Sequence, residues 1–128
     1  MEADGYVSLW ISGERDFDRV QAAFEDTYTE DGDWIPPPFA LAFGFETFDP
    51  ATREANILKS PTSSVREAVS GYSYDKFIAE RFAHDYGEQL PARASAVALL
   101  YNFKFSGEPT AAVVDGTRWQ YIGCVPYR

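Results

Sequence analysis

A chain of 128 residues in which 45% of side chains are hydrophobic and 16% aromatic has ample apolar material for one core, which argues against disorder and for a single domain over residues 1–128. Twenty acids against eleven bases leave a formal net charge of −9, which repels nucleic acid and anionic lipid and favours a basic partner, although acidity also serves solubility. The lone Cys124 excludes an internal disulfide, and the Met-Glu-Ala-Asp-Gly start lacks a basic n-region; with no stretch near the roughly 18 apolar residues of a membrane span, a cytoplasmic protein without membrane contact is expected.

Residues 6–12 alternate Val7, Leu9 and Ile11 with Tyr6, Ser8 and Trp10, the period-2 pattern of a strand ended by Ser12-Gly13. From Glu14 to about Thr29 the period changes: Phe17, Val20, Phe24 and Tyr28 fall within an arc of about 80° at 100° per residue, which predicts an amphipathic helix on the sheet. Glu14, Asp18 and Glu25 cluster on the outward side of that wheel. Residues 30–38, with Asp-Gly and three prolines, read as an exposed, stiff loop.

Phe39 to Phe43 suggest a short helical turn stopped at Gly44, followed by extended pieces at 45–48 and 54–58 around an Asp-Pro turn. Ser64-Val65-Arg66-Glu67 has the form of a capping box, predicting a short helix to about Ser70. Tyr74, Ile78, Phe82 and Tyr86 form an i, i+4 row with Phe77 beside it and Gly87 as a stop, giving a helix over 74–86. Residues 95–105 put Val97, Leu99, Tyr101, Phe103 and Phe105 on one face and Ala96, Ala98 and Leu100 on the other, as in a central strand. A short extended piece at 111–114, Gly116, and a last strand at 118–125 with Trp119, Tyr121 and Val125 on one face complete the chain. The expected fold is α+β (mixed α/β): one sheet of about four to six strands with two or three helices packed on it.

Signatures of chemistry are scarce. His84 has no second histidine or cysteine near it in sequence, Cys124 lies in an apolar strand, and no phosphate-cradling or hydrolase motif occurs. Glu30-Asp31-Gly32-Asp33 lacks the order and the closing glutamate of a calcium loop. No catalytic residue, metal or cofactor is expected.

Residues 14–33 instead hold eight acids (Glu14, Asp16, Asp18, Glu25, Asp26, Glu30, Asp31, Asp33) against Arg15 and Arg19, a local net of −6. A carboxylate face leading to a displayed Trp34 suits protein docking, because charge speeds encounter and an aromatic anchor supplies binding energy. The partner-binding candidates are Glu14, Asp18, Glu25, Glu30, Asp31, Asp33 and Trp34. The bland reading weighs equally: a solvated helix face, with Trp34-Ile35 folded into the core.

Val7-Ser8-Leu9-Trp10-Ile11, Asp31-Gly32-Asp33-Trp34-Ile35-Pro36, Tyr86-Gly87-Glu88, Ala98-Leu99-Leu100-Tyr101-Asn102-Phe103 and Tyr121-Ile122-Gly123-Cys124-Val125, in this order, resemble the immunity protein 22 family of bacterial polymorphic toxin systems. Arg53 and the Pro36-Pro37-Pro38 run look like departures from it. The resemblance implies a cytoplasmic antidote that binds and blocks a cognate toxin domain, and the acidic stretch would suit a nuclease with a basic surface as that toxin. It supplies no catalytic residues. Two other readings stay open: a non-catalytic adaptor or structural homo-oligomer, and a carboxylate-based enzyme without familiar motifs.

Overall fold

The computed structural model describes residues 2–128. The chain runs β1 (Glu2–Ser12), α1 (Phe17–Ala22), β2 (Thr27–Tyr28), β3 (Trp34–Ile35), α2 (Pro38–Phe43), a single 3-10 turn (Pro50–Thr52), β4 (Arg53–Ser64), α3 (Val65–Val69), α4 (Asp75–Tyr86), β5 (Gln89–Phe103), β6 (Ala111–Val114) and β7 (Thr117–Pro126). Five strands form an antiparallel sheet in the order β4-β5-β1-β7-β6, and β2 and β3 pair as a separate two-stranded hairpin. This is the expected α+β fold, with the small hairpin as an addition. Among the described residues no helix is long and apolar enough to cross a membrane.

The sheet is covered on both faces, so central β1 is buried without interruption from Val7 to Ser12. Odd positions Val7, Leu9 and Ile11 meet Val97, Leu99 and Tyr101 and lie under α3 and α4, through Val65, Ala68, Val69, Ile78 and Phe82. On the other face Trp10, Ala96, Ala98 and Leu100 lie under α1, α2 and the loop that follows, through Val20, Phe24, Phe39, Phe43, Phe45 and Phe48. The small Ala96 and Ala98 leave room for large rings above them.

Local chemistry sets the element ends. Gly44 takes the left-handed conformation (φ 78°) that stops α2, and Ser64 Oγ accepts from the Glu67 N–H at 3.2 Å to cap α3. The Glu67 carboxylate does not complete a reciprocal box; it accepts from Thr62 Oγ1 at 2.9 Å. Asp115 (φ 49°) and Gly116 (φ 84°) make the doubly left-handed two-residue turn that joins β6 to β7.

Two bulges change the predicted faces. Asn102 adopts φ 56°, and its Oδ1 accepts from the Gly5 N–H at 3.0 Å and the Tyr127 hydroxyl at 2.6 Å. The strand turns over there, so Phe103 and Phe105 join the Trp10 face and not the face of Val97, Leu99 and Tyr101. Buried Ser8 fixes the new course: its Oγ donates to Phe103 O at 2.9 Å and accepts from the Phe105 N–H at 3.1 Å. In β7 the register slips between Leu9↔Gly123 and Trp10↔Tyr121. Ile122 is therefore extra, and Val125 faces the opposite core from Trp119 and Tyr121.

The predicted helix over 14–29 is the main correction. It lasts six residues, capped by Asp16, whose carboxylate accepts from the Asp18 and Arg19 N–H groups, and beyond Ala22 the chain leaves the helical path. Val20 and Phe24 reach the core, but Phe17 and Tyr28 are exposed. Residues 45–48 form a loop, not a strand, and it is pinned by the rings of Phe45 and Phe48.

Candidate functional site: an acidic hairpin arm

Residues 25–37 leave the body as an arm. Its root is Phe24 and Phe39, whose rings stack with centroids 4.5 Å apart, while the Phe39 N–H donates to Ala23 O at 2.9 Å. The arm is the β2–β3 hairpin, with Thr27 opposite Ile35 and Tyr28 opposite Trp34. Its tip is tied by Thr29, which receives the Gly32 N–H at its carbonyl and the Asp33 N–H at its hydroxyl. Gly32 supplies the positive φ (86°) that the turn needs. The proline run returns the chain to the body: Pro37 is buried and Pro38 opens α2.

Trp34 is 47% exposed, Tyr28 65% and Ile35 37%, so this aromatic and aliphatic surface faces solvent and does not fold back into the core. The Trp34 Nε1–H donates to Asp26 Oδ1 at 3.0 Å, which fixes the indole against the arm's base. Glu25, Asp26, Glu30, Asp31 and Asp33 are all exposed, and among the described residues none of them forms an ion pair. Five unneutralised carboxylates around an exposed hairpin, with Tyr28 and Trp34 on one face and Ile35 on the other, define the site.

The residues predicted for it separate into two groups. Glu25, Glu30, Asp31, Asp33 and Trp34 share the arm. Asp18 is exposed on α1, and no hydrogen bond or ion pair among the described residues links it or Glu14 to the arm. Glu14 precedes the helix and is committed inward, its side chain only 15% exposed. Its Oε1 accepts from the Thr117 hydroxyl at 2.5 Å and its Oε2 from the Arg15 and Asp16 N–H groups. The Thr117 hydrogen bond, with those N–H groups and nearby Arg19 adding to it, holds the Glu14 carboxyl below its ordinary range against partial desolvation.

Sequence reasoning missed Tyr28 as a surface residue by assigning it to a buried helical stripe, and it read Trp34-Ile35 as part of a loop and not as a strand. The available signal was Thr27-Tyr28-Thr29 and Trp34-Ile35 flanking an Asp-Gly turn, which has hairpin form.

Elsewhere the groups that chemistry would use are dispersed. His84 Nδ1 lies 2.9 Å from Asp85 Oδ1 on the exposed side of α4. The Cys124 thiol is half-buried, and burial pushes its pKa up, which disfavours the nucleophilic thiolate. A cleft of about 630 Å³ is lined by Phe45, Glu46, Phe48, Asp49, Asn102 and Phe103 among others and by no histidine, cysteine, lysine or arginine. Arg53 forms no ion pair among the described residues; its guanidinium lies 5.6 Å from the Phe24 ring centroid.

Fold and site together describe a small α+β protein with an exposed acidic hairpin arm that carries Tyr28, Trp34 and Ile35 below its tip. Residues 7–128 match the family model Immunity protein 22, and the chain belongs to that family. Membership supports an immunity role, implies binding of a cognate toxin and suggests a non-enzymatic role. No curated protein and no solved structure matches the chain.

Proposed function

We propose that this protein neutralises a cognate polymorphic toxin in the cytoplasm by laying its acidic arm on a basic face of the toxin domain, a nuclease active site being the surface best suited to it. The observation that carries the reading is the arm itself. Glu25, Glu30, Asp31 and Asp33 are exposed and unpaired around a half-exposed Trp34, where a partner's lysines and arginines gain most. Charge of this kind raises the association rate, and the aromatic anchor slows dissociation. Asp18 and Glu14 lie outside the arm and add charge at the margin, which extends the attraction without direct contact.

The test is co-expression with the toxin domain encoded beside this gene, reading growth rescue and co-purification. Rescue with a stable complex supports immunity; neither rescue nor complex overturns it. Within a complex, replacing Asp31 and Asp33 together by lysine is expected to slow association about tenfold at low salt and to flatten its salt dependence. Trp34→Ala should weaken affinity about 30-fold, mostly through dissociation. Unchanged kinetics in both variants would move the docking surface elsewhere on the molecule.

A further inference from the structure

The two edges of the five-stranded sheet are finished differently. On β4 three of the main-chain groups turned away from β5 are occupied within the chain. The Arg53 N–H donates to Pro50 O, the Gln21 side-chain amide donates to Ala55 O at 2.8 Å, and Asn56 Oδ1 accepts from the Ile57 N–H at 2.8 Å.

Nothing comparable covers β6. Its two-residue turn closes on Val114 and Thr117, and bonding alternates along an antiparallel ladder. Val114 and Ala112 therefore bond to β7, while Ala111 and Val113 turn their N–H and C=O groups outward. The Tyr121 N–H to Thr110 O bond at 2.7 Å continues the same alternation. Among the described residues no hydrogen bond reaches those four outward groups. Thr110-Ala111-Ala112-Val113-Val114 carries no charge or proline to guard the edge, and the Val113 side chain is 65% exposed.

The surroundings say what such an edge suits. Glu108 and Asp115 bracket the strand, and Arg118 is the one base in β6 and β7. The turn after β6 abuts Glu14 through Thr117. Trp119, opposite Ala112 in the ladder, packs against both root residues of the arm, Phe24 at 5.8 Å and Phe39 at 5.5 Å. The open edge thus belongs to the hairpin whose Trp119 packs on the root of the acidic arm.

We infer that the β6 edge receives a short extended segment of the toxin as an added strand, one carrying lysine or arginine. Main-chain pairing at Ala111 and Val113 sets its register, and Glu108, Asp115 and the arm select its charge. The inference rests on the immunity reading and specifies how the partner is held. A second copy of this chain matches the edge geometrically, Ala111 against Val113, but that register sets Glu108 of one copy beside Asp115 of the other in a molecule of net charge −9, so charge favours the basic partner.

The experiment compares Val113→Pro with Val113→Thr in binding the toxin domain encoded beside this gene. Proline removes the outward N–H and blocks strand addition while leaving the bonds to β7 intact; threonine changes the side chain and keeps the N–H. The expected result is binding weakened about 10- to 100-fold for proline and little changed for threonine, with both variants keeping the wild-type circular dichroism. Amide hydrogen exchange gives a direct reading: Val113 exchanges fast in the free protein and is protected in the complex, whereas Ala112 is slow in both.

Wild-type affinity for Val113→Pro, or a Val113 amide left unprotected in a stable wild-type complex, overturns strand addition and leaves the immunity reading standing. Failure of the wild-type protein itself to bind overturns both. A wild-type dimer in sedimentation that Val113→Pro converts to monomer would assign the edge to a second copy and overturn the toxin segment.

Discussion

The two faces of the sheet solve the same burial problem with different materials. Under α3 and α4 the core is mostly aliphatic (Val7, Leu9, Ile11, Val65, Ile78, Val97, Leu99), and a helix of twelve residues, α4, lies on it. The opposite face is covered by two six-residue helices and a loop, and rings do the packing. Trp10 alone contacts Phe39, Phe43, Phe45, Phe103, Phe105 and Tyr121 at centroid distances of 5.1 to 6.4 Å. Regular structure satisfies its own backbone and can bury modest side chains; irregular chain has little of that order, and large rings compensate by burying more area per residue. The arm grows from the ring-packed face, where short segments anchored by Phe24 and Phe39 leave the intervening chain free to project.

The strongest way to break this contrast is Trp10→Ala. Its indole is fully buried, and a cavity at the centre of the ring cluster is expected to cost about 3 to 5 kcal/mol, a large share of a small domain's stability. Chemical denaturation would measure it, and loss of arm function should follow loss of fold. A penalty under about 1 kcal/mol would mean that the rings collapse into the gap.

A smaller effect is expected where α4 is fastened to β7 on the aliphatic side. Tyr86 lies flat on Gly123, a Cβ at which would collide with the ring, while its hydroxyl donates to Cys124 O and accepts from the Cys124 N–H, both at 3.0 Å. Gly123→Ala should cost about 2 kcal/mol by expelling the ring and its hydrogen bonds. In a Tyr86→Ala background the same change should be nearly free, so thermal unfolding of the double-mutant cycle must show strong coupling. Additive costs would refute the contact.

Thr117→Val tests the joint between the segment before α1 and the sheet through pH. The Glu14 carboxyl is held below its ordinary value of 4.5, chiefly by the Thr117 hydroxyl. A carboxyl depressed in the folded state stabilises above its unfolded pKa, and the contribution fades as pH falls through the folded value. The variant should therefore be less stable than wild type at pH 7, by about 1 kcal/mol, and the gap should close toward pH 3. A gap independent of pH would assign the loss to packing. Least affected of all should be stability on replacing Asp31 and Asp33 by asparagine: both are exposed and unpaired, so unfolding should shift by no more than a few tenths of a kcal/mol.

The local signals in the sequence were sound where one residue decides the outcome: Gly44 and Gly87 stop helices, Ser64 caps one, and β6 occupies 111–114 as expected. They failed where two parts of the chain compete. Phe24 and Tyr28 suit a helical stripe, yet Phe24 packs on Phe39 and Trp119 and Tyr28 pairs with Trp34, and these distant contacts end α1 at Ala22. The acidic character of residues 14–33 was legible, whereas an exposed Trp34 and one folded into the core were left equal; that Glu14 would turn inward to Thr117, 103 positions away in sequence, was not legible.

By itself, then, the sequence determined the class: an α+β core, a strongly acidic segment, no motif for catalysis, and the marks of an immunity family across most of the chain. Tertiary structure alone decided which side chains share a face, because bulges at Asn102 and Ile122 shift the strict alternation by one residue and move Phe103, Phe105 and Val125 to the opposite cores from those expected. It also decided between the helical period and the hairpin signal in residues 24–35, because the packing of Phe24 on Phe39 and Trp119 takes the chain off the helical path and sets the acids of residues 25–33 on a hairpin.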